Sequence, residues 1–179
     1  MIDGQGGGRL AGQILFVLLF LICLFFRLIP LAPGRISWPG PDIFLCLTMA
    51  WVLRRPQQVP VLLIAATFLV ADIILLQPIG LWAAIVVVAT EYLRGREPRW
   101  RDLPFMLEWP RIALILAVML LARRFALAVS LTPQGSLGES LLQYLATVGA
   151  YPVVVLAAHW LIGLRRITPA EAEMQRVRG

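Results

Sequence analysis

Apolar residues in this chain come in runs too continuous for the alternation of a half-buried strand or the one-sided stripe of a soluble helix. The runs occupy residues 10–31, 42–53, 57–76, 79–93, 110–131 and 139–164. Short gaps rich in arginine, proline and glycine separate them. A helix of about 20 apolar residues covers the ~30 Å hydrocarbon core of a bilayer. The pattern therefore predicts an all-α membrane protein with six spans, at about residues 10–30, 38–53, 56–76, 79–93, 110–131 and 139–164. No gap has room for a soluble domain, so residues 10–166 form one membrane domain between a flexible lead (1–9) and a short tail (167–179).

The second run is the weak member. Ile43 to Leu53 reaches only ~16 Å as a helix, which requires it to tilt or to extend back through Trp38 and its prolines. Charge supports the crossing. All sixteen basic residues are arginine, and positive loops are retained on the cytoplasmic side. With six spans, Arg9, Arg54, Arg55, Arg94, Arg96, Arg99, Arg101, Arg165, Arg166, Arg176 and Arg178 all face the cytoplasm, and Arg35 alone lies outside. Omitting the second span would invert everything after it. Both termini are thus expected in the cytoplasm.

Composition changes little in this picture. The chain is 60% hydrophobic with a mean hydropathy of +0.82, well above soluble norms. Its pI of 10.6 would suggest nucleic acid in a soluble domain, but beside spans it reflects topology and contact with anionic headgroups. No nucleic-acid partner is expected. The first run reads as a retained span, not a removed signal. Cys23 and Cys46 sit inside apolar runs as small filler.

Local signals refine the map. Residues 94–109 alternate arginine, acid and aromatic side chains, which predicts an amphipathic segment lying on the cytoplasmic face. Pro110 suits the first position of the fifth helix. Pro152 should bend the sixth, and Ala146 and Ala150 offer one small-residue pair for close helix contact. Thr168-Pro169-Ala170-Glu171 predicts a short capped helix in the tail.

Ionisable groups inside spans are costly and usually pair. Arg27 lies ~22 Å beyond Gly12, Asp72 ~24 Å beyond Pro56, and Arg123 and Arg124 ~20 Å beyond Pro110. All fall at similar depth in the outer half. Asp72 is expected to pair with Arg27 or with one of Arg123 and Arg124; the alternative is arginines reaching outer headgroups with Asp72 facing external water. Near the inner ends, Glu91 is placed to meet Arg111 or His159. The lone His159, beside Trp160, reads as an interface residue before a proton relay.

Catalytic patterns are missing from the sequence. Ser37, Ser130, Ser136 and Ser140 lie at loops or span ends, away from any histidine. One histidine cannot form an HExxH site. Asp42 and Asp102 flank spans and form no intramembrane pair with Asp72. Neither enzyme activity nor a metal or other cofactor is expected.

Residues 39–95 carry a resemblance. Pro41-Asp42 opens the short second span, Arg54-Arg55-Pro56 makes a minimal turn, Asp72 sits late in the third span, and Pro78-Ile79-Gly80-Leu81 leads into a fourth ending in Glu91-Tyr92-Leu93-Arg94. This resembles the MreD family of rod-shape-determining membrane proteins, and size and predicted topology extend the likeness over most of the chain. The resemblance implies a non-catalytic component of the bacterial cell-elongation machinery in the inner membrane. It implies binding to MreC, and through it connection of MreB filaments with RodA and a class B penicillin-binding protein. It also implies a fold similar to the substrate-binding subunit of energy-coupling-factor transporters. Asp42 and Asp72 are then candidate partner-binding residues. A vitamin-type carrier is the alternative, although the outer halves offer chiefly Asp72, Arg27, Gln143 and Tyr144 to a ligand, and that family's alanine motif is missing from the first span. A third class is a structural subunit of another membrane complex.

Overall fold

A computed structural model describes residues 3–29, 40–100, 105–132 and 134–162. The described residues form six α-helices and one 3-10 turn, with no strand. The helices are α1 (Asp3–Leu28), α2 (Ile43–Arg54), α3 (Val61–Ile74), α4 (Leu81–Trp100), α5 (Phe105–Val129) and α6 (Leu137–Ile162), with the 3-10 turn at Pro56–Gln58. Among the described residues three stretches are long and apolar enough to cross a membrane: Gly8–Leu28, Met106–Val129 and Leu137–Trp160. Their large side chains face outward, as with Ile14 and Phe25 on α1, Leu114 and Phe125 on α5, and Val153 and Trp160 on α6. In water such surface would be unfavourable; against lipid it is the expected exterior.

α2 is built the other way. Every residue from Phe44 to Arg54 is buried, so this helix forms the centre around which the others pack, chiefly α4 and α6. Its hydrophobicity all round is the pattern of a buried helix. An aromatic cluster joins it to its neighbours. Phe44 lies with its ring centroid 5.2 Å from Phe16, 5.0 Å from Phe20 and 5.0 Å from Phe68, while Trp51 meets Phe16 edge-on. At 12 residues α2 is about 18 Å long. Its helix begins at Ile43, not at residue 38 as expected; residues 30–39, with Trp38, lie outside the described residues.

Other boundaries also move. α1 begins at Asp3, so most of the lead expected to be flexible (1–9) is helical, its backbone continuing the first apolar run. α3 starts at Val61, not at Pro56, because Pro60 occupies its N-cap in an extended conformation (φ −63°, ψ 155°) and Pro56 begins the 3-10 turn. α3 ends at Ile74, and Leu76 (φ 53°) with Gly80 (φ 82°) turns the chain into α4. α4 does not stop at Leu93. It continues to Trp100, supported by Glu91 accepting from Arg94 at 2.8 Å and by the Arg96 guanidinium 5.1 Å over the Tyr92 ring. α5 begins at Phe105 and contains Pro110 in its second turn, not at its first position. Much of the expected surface segment 94–109 is therefore the end of one helix and the start of the next, with residues 101–104 outside the described residues. α6 opens with a capping signal that hydropathy does not show: Ser136 Oγ accepts from Glu139 N at 3.1 Å. The predicted tail helix at 168–171 also lies outside the described residues.

Candidate functional site

Charged and polar groups collect at two ends of this bundle. At one, Asp42 caps α2: its Oδ1 accepts from Leu45 N at 3.1 Å. Its Oδ2 accepts from Arg27 of α1 at 3.3 Å, and its backbone N–H donates to Thr147 Oγ1 of α6 at 3.1 Å. Thr147 is held in turn, its hydroxyl donating to Gln143 O and its carbonyl accepting from Cys46 Sγ. One aspartate thus ties three helices, using an N-cap's preference for a short acceptor.

Asp72 does the same work for the α3–α4 hairpin. Only 1% exposed, it points Oδ2 at the start of α4, where it accepts from Gly80 N at 3.1 Å and Ala83 N at 3.2 Å. These amides have no partner within their own helix, and the helix dipole favours a carboxylate there. The expected ion pairs of Asp72 are therefore not formed. Arg27 goes to Asp42. Arg123 donates to Gln77 Oε1 at 3.3 Å and lies 5.2 Å over the Trp82 ring. Arg124 donates to Ser140 Oγ at 2.8 Å. Backbone amides compete successfully for the carboxylate because α4 begins within reach of it, through a turn whose left-handed Gly80 a sequence pattern does not position in space.

A cavity of about 580 Å³ opens among these residues, between α1 and α3. Phe20, Leu24, Phe44 and Phe68 line its apolar part, and Arg27 and Asp72 are among its polar groups. A second, smaller cavity of about 50 Å³ has Arg27, Asp42, Arg123 and Tyr144 in its lining.

The opposite end carries an ion pair that sequence reading missed. Arg54 of α2 and Glu108 of α5 meet at 3.3 Å, their side chains 7% and 2% exposed. Tyr151 of α6 donates to the same Glu108 oxygen at 2.6 Å, and Arg54 also donates to Ala50 O. Arg54 reads as an ordinary loop arginine, and Glu108 as part of a surface segment. A lone acid directly before a long apolar run was the available signal. Nearby, Arg94 donates to Pro56 O and Val59 O, both at 2.7 Å, and clamps the 3-10 turn onto α4. Glu91 is turned toward this Arg94; the expected contact with His159 is not made, and His159 lies exposed on α6. Arg111 is half-buried near the start of α5.

The same end seats α1. Trp51 Nε1 donates to Gln58 Oε1 at 3.1 Å, and Gln58 Nε2 reaches Gly8 O at 3.4 Å. A Cβ on Gly12 would lie 2.6 Å from Gln58 Cδ, so only glycine allows this approach undisturbed. Among the described residues no group of three or more His, Cys, Asp or Glu is arranged to hold a metal ion.

No known family, curated protein or solved structure matches this chain. Its residues and geometry carry the functional reading alone.

Proposed function

We propose that this protein is a non-catalytic, MreD-like scaffold of the bacterial inner membrane. It crosses six times, with both ends in the cytoplasm, and the end bearing Arg27, Asp42 and Asp72 faces outward. Its task is to bind MreC and help couple MreB filaments, RodA and a class B penicillin-binding protein during wall elongation. One observation carries the reading. Asp42, Asp72 and Arg94, which stand in the stretches that suggest this family, are the same side chains that fasten neighbouring elements around buried α2. A scaffold needs that kind of fixed surface more than it needs reactive groups. Association with a partner span would come from side-chain packing and interhelical hydrogen bonds, since lipid supplies no hydrophobic drive between helices. The outward charged layer of Arg27, Asp42, Asp72, Arg123 and Arg124 is the polar anchor.

Co-expression with the MreC of the same genome tests this. The two should co-purify in mild detergent, and Asp42→Ala should weaken the complex while the protein stays in the membrane. Failure to co-purify at matched expression removes the reading. A second reading, a small-molecule carrier, is favoured by the cavity of about 580 Å³, a size common in ligand sites. A vitamin-sized compound retained through purification would decide for it.

A further inference from the structure

The cavity between α1 and α3 combines features that no single simple occupant satisfies. Its walls are mainly aromatic and aliphatic, from Phe20, Leu24, Phe44 and Phe68. Asp72 contributes to the lining, and while its Oδ2 accepts two backbone bonds, its Oδ1 is buried with no hydrogen-bond partner among the described residues. Leaving a buried carboxylate oxygen without a donor is costly. Arg27 stands at the cavity with its side chain 41% exposed, one of its five N–H donors engaged by Asp42. Phe26 and Ile43, 59% and 49% exposed, border the space and also reach the apolar exterior.

Each partial answer leaves something unmet. A hydrocarbon chain alone leaves Asp72 Oδ1 without a donor. A phosphate alone meets Arg27 but repels the carboxylate and wets the aromatic walls. An amine alone leaves the guanidinium donors open. We propose that this cavity binds an aminophospholipid of the phosphatidylethanolamine type. Its ammonium pairs with the Asp72 carboxylate, which turns to bring the unpartnered Oδ1 to the cavity wall, its phosphate accepts from Arg27, and an acyl chain leaves past Phe26 and Ile43 into the bilayer. Charge-assisted bonds at both ends of a short zwitterion give selectivity that an apolar groove lacks. This inference needs the chain to lie in a membrane and is independent of the scaffold reading: co-purification with MreC can fail while lipid binding holds, and the reverse.

The test uses the full chain in nanodiscs containing equal amounts of palmitoyl-oleoyl phosphatidylethanolamine and phosphatidylglycerol, followed by native mass spectrometry after release into mild detergent. One phosphatidylethanolamine should remain bound, favoured about tenfold or more over phosphatidylglycerol, the scale of a charge-assisted hydrogen bond. Asp72→Asn keeps an acceptor for the Gly80 and Ala83 amides but loses the second carboxylate oxygen, and should bring the preference close to unity. Cys23→Trp, which fills the space from α1, should abolish retention with helical content unchanged. Absence of bound lipid in the wild type, equal retention of the two lipids, or unchanged selectivity in Asp72→Asn overturns the proposal. So does displacement by soluble phosphoethanolamine at the same concentration, which would assign the site to a water-soluble ligand.

Discussion

At the scale of single residues, stability rests on a few carboxylates placed where backbone or guanidinium donors would otherwise be buried without acceptors. Asp72→Ala leaves two amides at the start of α4 without their acceptor, which should cost about 1–2 kcal/mol. Thermal unfolding in detergent should show a lowered midpoint, with Asp72→Asn nearer the wild type; equal loss in both would mean that charge, not the cap, matters. Glu108 predicts a larger effect. Glu108→Ala strands the Arg54 guanidinium inside the bundle, a loss on the order of 3–5 kcal/mol. Replacing Arg54 and Glu108 together by methionine should recover part of it, because a buried ion pair is often little better than a well-packed apolar pair, while the buried Tyr151 hydroxyl still loses its acceptor. If the double variant is no better than Glu108→Ala, the ion pair is needed for more than mutual neutralisation.

Between elements, α1 sits close against the 3-10 turn. Gly12→Ala forces Gln58 to move and breaks its bond from Trp51, a loss of roughly 1 kcal/mol. Faster protease cleavage near the N-terminus would register it; an unchanged rate would mean that Gln58 relocates freely. Element boundaries also show what hydropathy can and cannot see. It located every helix, because a run of apolar side chains marks each one. It misplaced the ends of α4 and α5, because hydropathy marks where lipid contact stops and a helix can continue beyond with Glu91, Arg94 and Arg96 supporting its turns. The start of α3 was missed for a different reason: Pro56 is acceptable in a first helical turn, and nothing local revealed that Pro60 would claim the N-cap instead.

For the whole molecule, the open question of the sequence was whether the short second run crosses. In the structure this helix lies at the centre of the bundle, with its start beside Arg27 at the end of α1 and its end beside Glu108 at the start of α5. A helix of about 18 Å is short for lipid contact, but its neighbours cover it and no lipid need fit its length. Reporter fusions at residues 95–98 should then be active only in the cytoplasmic sense, and fusions at residues 132–136 only in the periplasmic sense. The same sense at both sites would break the alternation and the functional assignment with it.

Composition, run length and arginine placement were enough to establish an all-helical chain with helices apolar enough for a membrane, since the cost of burying polar groups in lipid acts on each segment separately. They also singled out Arg27, Asp72, Arg123, Arg124 and Glu91 as charges needing partners. Which partners they found was decided in three dimensions. Asp72 met backbone amides eight and eleven residues on, Asp42 took one of the arginines expected for Asp72, and Arg54 met an acid 54 positions away. Such choices depend on the distance and direction between helices, and those follow from how the whole bundle packs around α2.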